Sequence, residues 1–260
     1  MDPASKAFHP DSGPVLRDVA LRLDQPTRRL FLRKAVGLGT LTLLTGCDVV
    51  DGFGGEDVLS RFSDFNDRVQ AWLFDPGRLA KEYPASAITR PFPFNSFYTP
   101  NSPDKAPVID PATYRLNVTG LVERGEDWTL DQLYALPRAS QITRHVCIEG
   151  WSAIGHWSGV RFSEFLRRVG ADTTARYVTF RCDDSYVTSI DMPTALHPQT
   201  LLTFWMDNAV LPRRHGFPMK LRVPTKLGFK NPKHIGEIEV GNDFQGGTWE
   251  TLGYNWFSGL

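Results

Sequence analysis

Cysteine is scarce in this chain of 260 residues, with three residues at positions 47, 147 and 182. That excludes a disulfide-dense scaffold and a four-cysteine zinc or iron–sulfur site made by this chain alone. No C-x-x-C pair occurs, which removes dithiol redox chemistry, and no C-x-x-C-H occurs, which removes covalent haem attachment. Charge of one sign is not in excess: Lys plus Arg is 29 and Asp plus Glu is 29. With no basic field, nucleic acid is not an expected partner. No G-x-G-x-x-G follows a strand pattern and no P-loop is present, which argues against a nucleotide-dependent enzyme. No repeat of 20–50 residues suggests a solenoid. Long apolar runs are missing too. Ala35–Thr45 is 11 residues long, too short to cross a hydrocarbon core of about 30 Å as a helix.

That short run has a basic preface, Thr27-Arg28-Arg29-Leu30-Phe31-Leu32-Arg33-Lys34, and ends at Leu44-Thr45-Gly46-Cys47. A charged region, a short apolar region and a small-residue exit describe an export signal over residues 1–47. The Arg pair followed by Leu-Phe-Leu is similar to a twin-arginine signal, which exports folded proteins, so the expected location is the periplasm. Leu-Thr-Gly-Cys also resembles a lipoprotein cleavage box, with lipidation at Cys47 as the alternative to simple cleavage. Residues 48–56 then form a linker and 57–260 the folded domain. Without residues 1–47 the chain keeps 22 basic and 25 acidic residues, so it is mildly acidic.

What the domain has in quantity is aromatic residues (12%, with 17 Phe and 7 Trp), 22 Gly and 19 Pro, a mixture that suggests sheets and many turns. Apolar spacing predicts a helix over Asp57–Leu79 capped by Gly77. Pro84–Pro111 holds seven prolines and reads as an extended segment. Strands are predicted at Tyr114–Leu121, Gln141–Ile148, Tyr177–Cys182, Val187–Ile190, Thr200–Met206, Met219–Val223 and Ile235–Val240. Short helices are predicted at Thr129–Leu133, with Thr129 as N-cap and Gln132 at N3, and at Ser163–Val169, ending at Gly170. Glu149–Gly159 reads as a loop and Asp207-Asn208 as a turn. The class is α+β, mainly mixed or antiparallel β with short helices.

Two segments can carry chemistry. In Arg144-His145-Val146-Cys147-Ile148-Glu149-Gly150-Trp151, a lone thiol sits at a strand-to-loop junction beside two cationic residue types, which favour a thiolate able to attack, exchange disulfides or ligate a soft metal. A buried inert cysteine and a Cys147–Cys182 disulfide, the default outside the cytoplasm, are the competing readings. The second segment runs from His215 through Lys220, Lys226 and Lys230 to Lys233 and His234. Its basic side chains and glycine turns can surround an anion such as phosphate, or they can form a solvated basic loop.

Arg144-x-x-Cys147-x-Glu149-Gly-Trp151-Ser followed by Trp157-x-Gly159 resembles the molybdenum-cysteine segment of the sulfite oxidase superfamily. The match is closer to its bacterial periplasmic branch of methionine-sulfoxide reductase catalytic subunits. His197-Pro-x-Thr200, His215-Gly-x-Pro218 and Gly228-Phe-Lys230-x-x-Lys233-x-Ile235 agree in order, as does Asn95-Ser-Phe-Tyr98-Thr99. The resemblance implies a sulfite-oxidase-type fold and a molybdenum–molybdopterin cofactor, with Cys147 as the metal ligand. It implies cofactor contacts from Asn95, Tyr98 and Thr99 and from the turn Asn231-Pro232-Lys233. His215 falls at a pterin-binding position, Lys220 where the family usually has Arg, and Cys182 where the reductase branch has a Thr near the cofactor. Glu149 could act beside Cys147 as a proton relay, and Trp151 and Trp157 would wall the pocket. The implied activity is two-electron oxygen-atom transfer: reduction of a small-molecule or peptidyl S- or N-oxide, or sulfite-type oxidation by the same cofactor. A membrane haem protein or cytochrome would be the electron partner. The chain ends soon after the phosphate block, so a monomer is expected.

Overall fold

The computed structural model describes residues 65–95 and 106–260. The export signal, Cys47, the linker and the start of the expected 57–79 helix lie outside those residues. So do Tyr98 and Thr99. Of that helix, residues 65–73 are helical. The last backbone bond runs from Phe74 N–H to the Gln70 carbonyl at 3.0 Å. The helix does not reach Gly77, because Pro76 lacks a donor and restricts Asp75 to extended backbone. Asp75–Leu260 form one compact unit, and residues 65–73 belong to a separate one.

The compact unit has two sheets. The first contains β2 (Arg138–Val146), β3 (Ser152–Arg161), β6 (Leu201–Met206), β7 (Ala209–Val210) and β8 (Lys220–Arg222). Here β2 pairs with β3, β3 with β6, and β7 and β8 share the other edge of β6, all antiparallel. The second sheet has the order β1 (Asn117–Gly120), β9 (Ile235–Gly241), β4 (Tyr177–Cys182) and β5 (Val187–Asp191), with β1 and β9 parallel. Three short helices connect them: α1 (Leu130–Tyr134), α2 (Phe162–Val169) and α3 (Met192–Leu196).

Local chemistry explains the helix ends. Thr129 Oγ1 accepts from Gln132 N–H at 3.2 Å while Gln132 Oε1 accepts from Thr129 N–H at 2.8 Å, the reciprocal capping box expected from the sequence. In α2 the buried residues Phe162, Phe165, Leu166 and Val169 recur at helical spacing, and Gly170 ends the helix in left-handed backbone at φ 64°. These side chains enter the main core with Phe180, Phe204, Leu221 and Ile238.

The expected loop at Glu149–Gly159 is mostly strand. Cys147–Trp151 closes a tight turn, with Cys147 N–H bonded to the Trp151 carbonyl at 2.8 Å and Gly150 N–H to the Cys147 carbonyl at 3.2 Å. From Ser152 the chain runs back along the whole of β2. Its glycines are needed for close packing. A Cβ at Gly159 would lie 1.8 Å from the Leu202 carbonyl oxygen, at a register shift in the β3–β6 ladder. The proline-rich segment docks on this hairpin. Tyr83 N–H bonds to the Ile142 carbonyl and Thr89 N–H to the Ile154 carbonyl, both at 2.9 Å, and this docking carries residues 92–95 onto the Cys147 end of the sheet.

Gly159→Ala is expected to destabilise the unit by roughly 3 kcal/mol, at the upper end of the usual range, since backbone on both sides must move. Thr129→Ala, which removes one cap, is expected to cost about 1 kcal/mol. Urea denaturation of the two variants checks the order; an equal or reversed cost would contradict the close approach at Gly159.

Candidate functional site

The Cys147–Trp151 turn opens into a cavity of ≈ 260 Å³. Its walls come from residues 92–95, the β4–β5 hairpin tip at 184–186, the 214–220 segment, the turn at 228–233 and the 248–252 segment. Cys147, Glu149, Asn95, His215, Lys220, Asn231, Pro232 and Lys233 all line it. Residues far apart in sequence are thus brought to one place.

Cys147 is buried, and burial pushes its thiol up from the ordinary value; the Glu149 backbone hydrogen bond and the charges of Lys220 and Lys233 pull the other way. The expectation that Arg144 and His145 supply the cationic neighbours needs correction. Arg144 is exposed. His145 is held well below its ordinary value by burial and by the positive charges of Lys220, Arg222, Lys233 and His215, so it is neutral. The two lysines, distant in sequence, exert the pull. Cys147 and Cys182 are both free thiols, which overturns the disulfide reading. Glu149 is exposed at the turn, where its Oε2 accepts from Trp151 Nε1 at 3.0 Å.

The electrostatics of the cavity are those of buried cations. Lys220 is only 5% exposed. Its ammonium stands 5.2 Å from the centre of the Trp157 ring and has no hydrogen-bond or ion-pair partner among the described residues. Burial, then Lys233 and Arg222, press it towards the neutral form. Lys233 Nζ donates to Asn95 Oδ1 at 2.8 Å and to the Arg214 carbonyl at 3.2 Å, and burial lowers it to about 8. His215 is lowered to about 4 by burial and the two lysines, against an opposing pull from the backbone at Phe92 and Pro93. Gly216, at φ 118°, keeps this cluster close: a Cβ there would meet the Lys233 side chain at 3.0 Å and the Lys220 Cβ at 3.2 Å.

Not every basic residue of the second segment faces the cavity. Lys226 and Lys230 point to the opposite side, Lys226 towards Asp191 at 3.8 Å and Lys230 into a buried ion pair with Glu250. Asn231 reaches the wall, but its side chain is occupied in holding the turn. Its Oδ1 accepts from Val223 N–H at 2.8 Å and Arg222 Nη1 at 3.0 Å, and its Nδ2 donates to the Leu227 carbonyl. Cys182 does not line the cavity; it packs in the main core, and its backbone is engaged by Tyr186 and Ser185 across the hairpin. Trp151 is a wall residue, whereas Trp157 lies one layer behind as a platform for Lys220 and Arg222.

Sequence reasoning missed Arg222. It is fully buried, with donors to Thr143 Oγ1, the Arg144 carbonyl at 2.7 Å and Asn231 Oδ1, and it approaches His145 Nδ1 at 3.4 Å. It ties the end of β2, which carries Cys147, to the phosphate-side turn. An alternating strand gives no sign that its charged residue points inward. Also missed were Phe92, which packs edge-on against Trp157 with centroids 5.1 Å apart, and the wall residues Trp249 and Leu252.

These residues fit a pterin–metal cofactor. Among the described residues no three His, Cys, Asp or Glu side chains converge to chelate a metal, so a metal bound at Cys147 must bring further ligands with it. Lys220 is an orphaned buried cation suited to an anionic group. In the cofactor-free protein His215 binds a proton less readily folded than unfolded, so stability rises with pH from about 4 to 6.5. Lys233 acts in the same sense between about 8 and 10.5. Urea midpoints across pH are expected to show both rises, with His215→Gln reducing the lower, which His145 shares, and Lys233→Met reducing the upper, which Lys220 shares; unchanged profiles would contradict this burial of charge.

The oxidoreductase molybdopterin binding domain family matches residues 104–249. An Azospira oryzae protein with the provisional name protein-methionine-sulfoxide reductase subunit YedZ1 is 56% identical over 94% of this chain and 92% of its own length. The protein-methionine-sulfoxide reductase catalytic subunit MsrP of Ralstonia nicotianae is 33% identical over 65% of this chain; the match spans 58% of that longer protein. The sulfane dehydrogenase SoxCD of Paracoccus pantotrophus shares the fold at a TM-score of 0.50 and 21% identity, over 53% of this chain and 40% of that one. The chain therefore belongs to the oxidoreductase molybdopterin binding domain family, within the sulfite oxidase superfamily.

Proposed function

We propose that this chain reduces S-oxides, with methionine sulfoxide the first candidate, in the periplasm and with electrons from a membrane haem protein or cytochrome. The observation that carries the reading is a single thiol, Cys147, facing the same cavity as the buried Lys220 ammonium, which rests on the Trp157 ring. The names of the relatives support reduction of methionine sulfoxide over oxidation. The net reaction takes R₂S=O, two electrons and two protons to R₂S and water. A bound molybdenum–pterin group supplies the two-electron oxygen-atom transfer.

The chain's own residues bind, orient and handle protons. Cys147 would hold the metal as a thiolate, giving up its proton to do so. Lys220 and Lys233 would hold an anionic group of the cofactor, as point charges where Arg would offer a planar fork. Phe92, Phe94 and Trp151 form an apolar wall that suits a thioether. Glu149, exposed at the mouth, would exchange protons with solvent for the bound substrate. The Arg28-Arg29 leader supports export of the folded chain, and Leu-Thr-Gly-Cys47 supports a lipid tether as its further form.

Protein from a molybdate-supplied host is expected to hold about one molybdenum per chain by elemental mass spectrometry, and to reduce methionine sulfoxide with a chemical electron donor. Cys147→Ser is expected to lose more than about 100-fold in turnover, beyond the effect usual for residues outside the ligand set. Turnover of sulfite but of no sulfoxide would reverse the direction, and absence of the metal from a competent host would remove the reading. On cell fractionation, replacing Arg28 and Arg29 by Lys together should leave the protein in the cytoplasm; an unchanged periplasmic pool would argue against the twin-arginine route.

A further inference from the structure

One cation of the cavity is built differently from the rest. Arg214 lies in the single helical turn Arg213–His215, between Pro212 and the left-handed Gly216. It is half-buried and lines the cavity. Its guanidinium rests over the Phe94 ring, 5.1 Å from the centroid, and has no hydrogen-bond or ion-pair partner among the described residues. The backbone beneath it is held. Lys233 Nζ donates to the Arg214 carbonyl at 3.2 Å and to Asn95 Oδ1 at 2.8 Å, one residue from Phe94. Phe94 in turn meets the His215 ring edge-on at 6.3 Å. The buried lysine therefore fixes where the arginine and its aromatic platform sit, while the arginine's own donors stay unused.

Burial separates this cation from the others. Lys220 is 5% exposed and Arg222 is fully enclosed, whereas Arg214 stands nearer to solvent. An anionic group of the cofactor has Lys220 and Lys233 to meet it, and Arg214 is left for a second anion. A guanidinium presents its donors as a planar fork that matches the two oxygens of a carboxylate, and an aromatic face beneath it pre-orients that fork. Phe94 has a second duty, because with Phe92 and Trp151 it makes the apolar wall suited to a thioether. One ring thus adjoins both the place for an alkyl sulfur arm and the place for an anion.

From this we infer that Arg214 and Phe94 form a carboxylate subsite, and that the S-oxide taken by this chain is a small molecule bearing its own carboxylate. Arg214 is a specificity-determining residue that contacts this group, and Lys233 is its positioning residue. Free methionine sulfoxide carries such a group; inside a polypeptide the same carbon is an amide. The inference rests on the S-oxide reductase reading and names a second group that the substrate presents.

The test uses the molybdenum-loaded full chain as wild type, Arg214→Gln and Arg214→Lys. The Arg214 side chain gives up no hydrogen bond within the described residues when it is replaced, and metal content serves as the control for folding. N-acetylmethionine sulfoxide and its C-terminal amide are compared as substrates, since they differ in the charge of one group. Calorimetry with the reduced forms, N-acetylmethionine and its amide, reads binding without turnover. Wild type is expected to show a KM about tenfold lower for the acid than for the amide, and to bind the reduced acid about tenfold more tightly, the size of one charge-assisted pair. Arg214→Gln is expected to keep its molybdenum and to raise the KM of the acid about tenfold more than that of the amide. Arg214→Lys, which keeps the charge and loses the fork, is expected to fall between the two. Equal KM values for acid and amide in wild type, or parallel shifts for both in Arg214→Gln, would overturn the subsite. Loss of molybdenum from Arg214→Gln would assign the fork to the cofactor and overturn it as well. Failure of wild type to reduce either sulfoxide would remove the reductase reading on its own, while calorimetry still decides whether Arg214 holds a carboxylate.

Discussion

Positive charge buried without enough negative charge is the constraint on which the site depends. Lys220, Arg222 and Lys233 converge from a three-residue strand and the turn that follows it. Transfer of a cation into such a place is unfavourable unless hydrogen bonds or an anion compensate. Arg222 finds its compensation inside the protein, in Thr143, the Arg144 carbonyl and Asn231. Lys233 finds part of it in Asn95 and Arg214. Among the described residues Lys220 has only the face of Trp157. The gradient from satisfied to unsatisfied runs from the core to the cavity, and a bound anionic group would complete it. The neutral state of His145 and His215 follows from the same crowding.

The two sheets serve this arrangement in different ways. The β2–β3 hairpin presents the thiol at its turn, and β6 supplies the edge on which β8 lays Lys220 and Arg222. The second sheet contributes the 184–186 hairpin tip and, through β5, the edge that carries the 248–252 wall. Two buried ion-paired lysines, Lys226 and Lys230, hold the chain that runs between them. A Cβ at Gly228 would come within 2.8 Å of His145 Nε2, so the turn and the end of β2 touch where only glycine fits.

What was legible in the sequence is what short-range chemistry determines. The capping box at Thr129, the Gly170 stop and the Asp207-Asn208 turn, with both residues at positive φ, are local events. The Cys147 block and the lysine segment were legible as chemistry because unusual residue types cluster there. The β3 strand was not. Ser152-Ala-Ile-Gly-His-Trp-Ser-Gly-Val-Arg has the glycine and serine content of a loop, and its glycines serve approaches to Phe92, Trp157 and Leu202 that are settled by tertiary packing. The direction of Lys226 and Lys230 was hidden for a related reason: a basic turn has two sides, and sequence does not say which faces the cavity. Arg222 was read as an ordinary residue of an alternating strand because burial of arginine is rare. The wall at 248–252 carries no motif, and only its contacts reveal it.

The hairpin turn that bears Cys147 has a consequence for how the protein acquires its cofactor. Its pairing is among the most local in the molecule, two consecutive strands joined by a short turn. Lys220, Lys233 and the wall come from about seventy to one hundred residues further along the chain. Local contacts form early and distant ones late, because closing long loops has an entropic cost that native contacts offset only afterwards. The thiol on its local hairpin and the cations from distant sequence meet only in the completed fold, where among the described residues no three His, Cys, Asp or Glu side chains converge to chelate a loose metal ion.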